Sequence, residues 1–183
     1  MLEIVVQGKA GQGALKFSQM LAIAAGYEGK HVQAFPMFGI ERRGAPLNAF
    51  IRISDEKINT RSQIYEPDII VVLDETLFRV MDAAKGLKKK GILLINSKKE
   101  PKELAREYDL KFKIHCFDAD SLSMSVFKKP IANIVMLAML VALTGIVKPD
   151  SLNDAIDEVF EDRKDLAILN RKAVREAFEV MGK

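Results

Sequence analysis

Thiol and imidazole are nearly missing from this chain, which has one cysteine, Cys116, and two histidines, His31 and His115, in 183 residues. A single thiol cannot close an internal disulfide, so the cross-linked framework of a small secreted domain is excluded. One Cys and two His cannot build a Cys-rich zinc site or hold an iron–sulfur cluster. His115 and Cys116 adjoin in the alternating run Phe112-Lys113-Ile114-His115-Cys116-Phe117. A strand points such neighbours to opposite faces, so both read as structural rather than as a reactive pair.

Charge of one sign is also scarce. The formal net charge of +3 does not argue for nucleic acid. Lysines cluster at Lys88-Lys89-Lys90, Lys98-Lys99 and Lys128-Lys129, with no interleaved aromatics on which bases would stack. They read as solvated loop and helix-end charges, and no nucleic-acid partner is expected. The longest uncharged apolar stretch, Ile131 to Leu143, falls short of the ~20 residues that cross a bilayer and contains Asn133. It reads as a buried core helix, with no membrane contact expected. Met1-Leu2-Glu3-Ile4 leads straight into a strand-like run with no secretory signal, so the expected location is the cytoplasm.

What is present is an ordinary globular balance, 49% apolar and 29% charged. A chain of this length buries roughly 70% of its unfolded surface around one core. The expectation is one α/β domain over residues 1–183, helical from about residue 130 to 183. Leu2–Val6 reads as a strand and Ala14–Gly26 as a helix with a wide apolar stripe. His31–Pro36 and Leu47–Ile53 read as strands, followed by turn chemistry at Ser54-Asp55-Glu56-Lys57 and a short run at Ile58. Ile69–Leu73 and Gly91–Ile95 are near-continuously apolar, as strands covered on both faces are. Between them Glu75–Leu87 reads as a crossover helix with Asp74 as N-cap.

A short helix around Lys102–Tyr108 and a strand at Lys113–Phe117 follow, and the remainder reads as helical. Pro130 opens the apolar helix from Ile131, and Gly145 with Pro149 closes it. Ser151 and Asp154 have capping-box-like spacing before a helix to Phe160, and a last amphipathic helix runs from about Leu166 to Met181. The predicted fold is three-layer α/β/α, with a mostly parallel mixed sheet, an antiparallel portion near residues 31–60 and C-terminal helices.

Two loops stand out. Gly8-Lys9-Ala10-Gly11-Gln12-Gly13 joins the first strand to the first helix. It is not a dinucleotide fingerprint: counting from Gly8 puts Ala10 at the second glycine, and counting from Gly11 puts Lys16 at the third. Nor is it a phosphate loop of the NTPase kind, since Ala14-Leu15 replaces Lys-Ser/Thr. Two readings stay open: positive-φ glycines serving a tight turn, or backbone N–H groups of Gly8, Gly11, Gln12 and Gly13 meeting an anion or a partner chain. In the second loop Gly39 and Gly44 bracket Glu41-Arg42-Arg43, with Phe35, Met37, Phe38 and Ile40 just upstream. A free-standing loop would expose those apolar groups, so Phe38–Pro46 reads as an interface with Arg42 and Arg43 at its edge.

These motifs, in this order, resemble the gamma subunits of the 2-oxoacid:ferredoxin oxidoreductases, in particular those of the pyruvate (pyruvate synthase) type. The family's G-x-G-G-Q-G loop stands here with Ala10 in place of one glycine. The segments Ala34-Phe35-Pro36, Phe38-Gly39, Glu41 to Pro46, Ala49 to Ile53, Arg61-Ser62-Gln63-Ile64 and Pro67-Asp68 are similar to its continuation, and Pro130-Ile131-Ala132-Asn133 to its C-terminal landmark. The resemblance implies a multi-subunit enzyme that oxidatively decarboxylates pyruvate with coenzyme A and ferredoxin, reversibly, to acetyl-CoA and carbon dioxide. It implies thiamine diphosphate with magnesium between alpha and beta subunits, iron–sulfur clusters on beta and delta subunits, and neither catalytic nor metal-binding residues in this chain.

On that reading Phe38, Gly39, Glu41, Arg42, Arg43 and Gly44 serve the subunit interface or coenzyme A access. The alternatives are a gamma subunit of a branched-chain 2-oxoacid enzyme, a stand-alone nucleotide- or anion-binding protein using the glycine loop, and a general interaction module.

Overall fold

A computed structural model describes residues 1–37 and 45–182. Its sheet is built from β1 (Leu2–Lys9), β2 (His31–Pro36), β3 (Pro46–Ser54), β4 (Ile69–Val72), β5 (Ile92–Asn96) and β6 (Lys113–Phe117), in the spatial order β2-β3-β1-β4-β5-β6. β1, β4, β5 and β6 pair in parallel, while β3 runs antiparallel to both β1 and β2. The expected mixed sheet is therefore present, with its antiparallel portion where the sequence places it.

The side-chain period of two sorts the strands onto two cores. Ile4 and Val6, with Ile51, Ile69, Val71 and Leu94, face one side. There they meet α1 (Ala14–Tyr27), α3 (Ala119–Phe127), α4 (Ala132–Thr144), α5 (Pro149–Val159) and α6 (Lys164–Met181). Every residue from Ala132 to Val141 is buried, so α4 is the central helix the apolar run predicts. Val5, Phe50, Ile70, Val72, Leu93 and Ile95 face the other side. That side is covered by α2 (Pro101–Glu107), a 3-10 turn at Glu75–Arg79 and the irregular segments around Ile64 and Ala83–Leu87. The three layers are thus unequal.

Four expectations need correction. Glu75–Leu87 is not a crossover helix: only Glu75–Arg79 is helical, as a 3-10 turn, and separate turns follow. The Asp82 carboxylate accepts from the Ala84 N–H at 3.3 Å, and Gly86 sits at φ +80° with its Cα face against the Tyr65 carbonyl. A carboxylate competing for backbone N–H groups and a left-handed glycine both end a helix. Asp74 does cap the turn, accepting from the Thr76 N–H at 3.0 Å.

Ser151 is not an N-cap. α5 begins at Pro149 with Lys148 as its cap residue, and the Lys148 N–H donates to Glu28 Oε1 at 2.5 Å. The carboxylate that ends one helix region therefore starts another, and that backbone hydrogen bond holds the Glu28 carboxyl below its usual range. Pro130 lies outside α4, which starts at Ala132 after Ile131 as cap residue. The run at Ile58 forms no strand.

A buried arginine that sequence reasoning gave no role holds that last region. Arg52, 1% exposed, donates from Nε to Glu3 Oε1 at 2.8 Å and from NH1 to Gln33 Oε1 at 2.8 Å. Its NH2 reaches the Gln63 carbonyl at 3.3 Å, tying residues 55–67 to the sheet.

Candidate functional site

β1 runs three residues past Val6, to Lys9, because β3 pairs with it in register as far as Lys9 opposite Pro46. The Ala10 N–H then donates to the Ala45 carbonyl at 2.9 Å. The chain turns at Gly11 (φ +99°) and Gly13 (φ +86°), two conformations glycine adopts without the Cβ penalty, and α1 begins. Gly13 has a second constraint. A Cβ there would fall 2.4 Å from Asn133 Nδ2, which donates to the Gly13 carbonyl at 3.3 Å. The structure thus brings together the glycine loop and the Asn133 landmark, 120 residues apart in sequence.

The polar side chains of the loop turn inward on Asp74, at the carboxyl end of β4. Gln12 folds back so that Oε1 accepts from the Lys9 N–H at 2.6 Å, while Nε2 donates to Asp74 Oδ2 at 2.9 Å. The Lys9 ammonium lies 2.8 Å from the same oxygen and donates to Thr76 Oγ1 at 2.7 Å. Asp74 Oδ1 accepts from both the Thr76 N–H and the Thr76 hydroxyl, at 3.0 and 2.6 Å. Burial alone would raise the Asp74 carboxyl; the hydrogen bonds from Lys9, Thr76 and Gln12 outweigh it and hold the group at about 2.

Beside this cluster a cleft of about 340 Å³ opens across the carboxyl ends of β4, β5 and β6, lined among others by Gln12, Asp74, Glu75, Asn96, Ser97 and Lys99. Ser97 Oγ bonds to Glu75, and Lys99 bridges Glu75 at 3.4 Å and Glu107 at 2.6 Å. Asn96 donates to the Leu73 carbonyl and accepts from the Ala119 N–H, each at 3.0 Å, joining β4 to the start of α3. Sequence reasoning missed Glu75, Asn96, Ser97 and Lys99. The available signal was their place just after strands of near-continuous apolar character, since open parallel sheets gather their polar sites at the carboxyl ends.

Phe38, Gly39, Glu41, Arg42, Arg43 and Gly44 lie outside the described residues. The segment's flanks are placed: the Met37 N–H donates to the Asn48 carbonyl, and Ala45 pairs with Ala10. The described flank Ala45 thus lies beside the glycine loop.

The residues here do not fit an iron–sulfur cluster. Cys116 is half-buried among the side chains of the thinner face, and burial with Glu100 and Glu75 nearby pushes its thiol up to about 11. Such a thiol is a poor ligand and a poor nucleophile. His115 takes the opposite face by the strand period, and burial holds its pKa below the usual value. Among the described residues no group of three His, Cys, Asp or Glu side chains is arranged to hold a metal, and no helix is long and apolar enough to cross a membrane.

Fold and loop together define an α/β chain with a mixed six-stranded sheet and a glycine turn after its first strand, and comparison with known proteins fixes the family. The profile of the pyruvate ferredoxin/flavodoxin oxidoreductase family matches residues 3–180. A protein of Thermococcus litoralis named pyruvate/ketoisovalerate oxidoreductases common subunit gamma is 44% identical, over 98% of this chain and 96% of its own. A pyruvate synthase subunit PorC of Methanocaldococcus jannaschii is 43% identical, over 99% and 97%.

The crystal structure of the pyruvate oxidoreductase subunit PORC of Thermotoga maritima superposes with a TM-score of 0.86 at 39% identity, over 97% of this chain and 95% of that one. A 2-oxoglutarate:ferredoxin oxidoreductase of Magnetococcus marinus shares the fold at 19% identity and a TM-score of 0.78, with 98% of this chain matching 30% of a longer one. The chain belongs to the pyruvate ferredoxin/flavodoxin oxidoreductase family, as a gamma-type subunit of the 2-oxoacid:ferredoxin oxidoreductases.

Proposed function

We propose that this chain is the gamma subunit of a cytoplasmic complex that oxidatively decarboxylates pyruvate with coenzyme A and ferredoxin, serving assembly and coenzyme A access rather than bond chemistry. The carrying observation is identity of 43% over nearly the whole chain to a subunit named for pyruvate synthase. The residue inventory supports the division of labour. One cysteine cannot supply the several thiolates a cluster needs, which supports iron–sulfur clusters on the partners; thiamine diphosphate with magnesium is assigned on this reading to the alpha and beta subunits. In the Magnetococcus enzyme, whose structure was determined with 2-oxoglutarate, coenzyme A and succinyl-CoA, the same fold is one part of a longer chain.

The two adjoining loops are the proposed contact. Phe38–Pro46 docks on the catalytic subunits with Arg42 and Arg43 beside the carrier's phosphates, and Gly8, Gly11, Gln12 and Gly13 present backbone to the same region. Reconstituted complex carrying Arg42→Ala or Arg43→Ala is expected to show a raised KM for coenzyme A. Unchanged KM in both discards carrier binding by these residues and leaves interface contact.

A second reading, that one gamma chain serves both pyruvate and branched-chain enzymes, is favoured by the Thermococcus relative named as common to two oxidoreductases. A panel of pyruvate, 2-oxoisovalerate and 2-oxoglutarate on complex purified through this chain, with ferredoxin reduction as readout, separates them. Activity on pyruvate alone supports the first reading, and activity on both of the first two supports the second.

A further inference from the structure

We propose that Asp74 is the positioning residue of the glycine loop: it fixes the Lys9 ammonium and the Gln12 amide, and so sets the shape and charge with which that loop meets a phosphate-bearing ligand. The inference rests on the reading of the loop given above and adds a residue from the turn after β4.

The geometry is specific. Oδ2 serves the loop, receiving Lys9 Nζ at 2.8 Å and Gln12 Nε2 at 2.9 Å. Oδ1 serves its own turn, receiving the Thr76 N–H and hydroxyl. All four partners are donors, and only an ionised carboxylate offers acceptors on both oxygens. An asparagine in its place would turn an NH2 group either on Lys9 and Gln12 or on Thr76, donor against donor in both orientations. Isosteric exchange therefore releases the loop without emptying the site.

The tether also decides charge. Lys9 is the one ionisable side chain of the Gly8–Gly13 segment. Its ammonium spends two of its three hydrogens on Asp74 and Thr76, which leaves one for a ligand. Asp74 offsets the Lys9 charge and fixes where the remaining hydrogen points. Gln12, pinned at one end by Asp74 and at the other by the Lys9 N–H, sets the spacing between β1 and Gly11. A loop that holds a ligand equally in the ground and transition states acts on KM and leaves kcat unmoved, so positioning of this kind acts on ligand binding.

The experiment uses the assembled complex, with assembly checked by size-exclusion chromatography. Asp74→Asn is expected to raise the KM for coenzyme A by about tenfold, with the KM for the 2-oxoacid unmoved and the loss in KM rather than kcat. Thr76→Val, which removes only the hydroxyl shared by Asp74 and Lys9, is expected to raise it by about threefold, and reports on the tether if Asp74→Asn does not assemble. Gly11→Ala, whose Cβ meets none of the described residues within 4 Å, reports on the loop itself. A raised KM in Gly11→Ala with none in Asp74→Asn and Thr76→Val overturns the role of Asp74 alone. No change in Gly11→Ala or in either tether variant overturns the loop reading with it. A KM that falls in Asp74→Asn, showing that a freed Lys9 binds better, also overturns the proposal.

Discussion

Single residues carry opposite burdens in the glycine loop. Gly11 and Gly13 share positive φ, but among the described residues nothing lies within 4 Å of a Cβ built at Gly11, while Asn133 crowds Gly13. Gly11→Ala is expected to cost only left-handed strain, about 1 kcal/mol. Gly13→Ala adds a collision and is expected to cost more than about 2 kcal/mol. Paired denaturant titrations check the difference, and equal losses would mean that Asn133 yields freely.

Asp74 predicts a pH signature. Its folded pKa of about 2 lies below the ordinary 3.8, so the stabilisation it supplies is complete above pH 4 and is lost as pH falls toward 2. Asp74→Asn should lower stability at pH 7 by about 2 kcal/mol, with the gap to the parent closing below pH 4. A gap constant from pH 7 to 3 would contradict this. Arg52→Ala breaks a buried charge pair beside Glu3 and is expected to cost about 3 kcal/mol in the same titrations.

At the scale of elements, the signals that were legible were those that need no distant partner. Val71 and Leu94 lie in runs so apolar that only doubly covered strands accommodate them, and both are buried strand residues. The Ile131–Leu143 run announces α4 by the same logic. Glu75–Leu87 misleads because its Leu77, Phe78, Met81 and Ala84 have helical spacing, whereas Gly86 against Tyr65 and the Asp82 turn are tertiary facts. Arg52 reads as a polar position on a strand until Glu3, Gln33 and Gln63 are seen around it.

The glycine loop was legible as a loop, and its inward Gln12 and Lys9 were not, since their partner Asp74 lies two residues past β4. The α5 cap is likewise remote. Glu28→Ala should cost about 1 kcal/mol although Glu28 is not in that helix, and a circular-dichroism melt that does not shift would argue against the cap.

Across the whole molecule the two faces of the sheet differ in kind. One carries five helices, four of them around α4, which is buried from Ala132 to Val141, and the other carries one two-turn helix, a 3-10 turn and irregular chain. Regions with few helical hydrogen bonds open first. Amide exchange is therefore expected to be fast and locally gated at residues 75–91 and 55–67, and slow at α4, β4 and β1. Uniform protection of both faces would show that the thinner layer is as cooperative as the thicker one.

β2 borders the sheet with β3 as its one neighbour, and its sequence, His31-Val32-Gln33-Ala34-Phe35-Pro36, contains no Lys, Asp or Glu. Acidic and basic side chains are the usual guard against stray edge-to-edge pairing, and this margin goes without them until Pro36. Produced without companions, the polypeptide should therefore stick to itself. Ala34→Lys, at an exposed position of the same strand, should keep it dispersed in light scattering, and equal scattering from both chains would count against this edge as the cause.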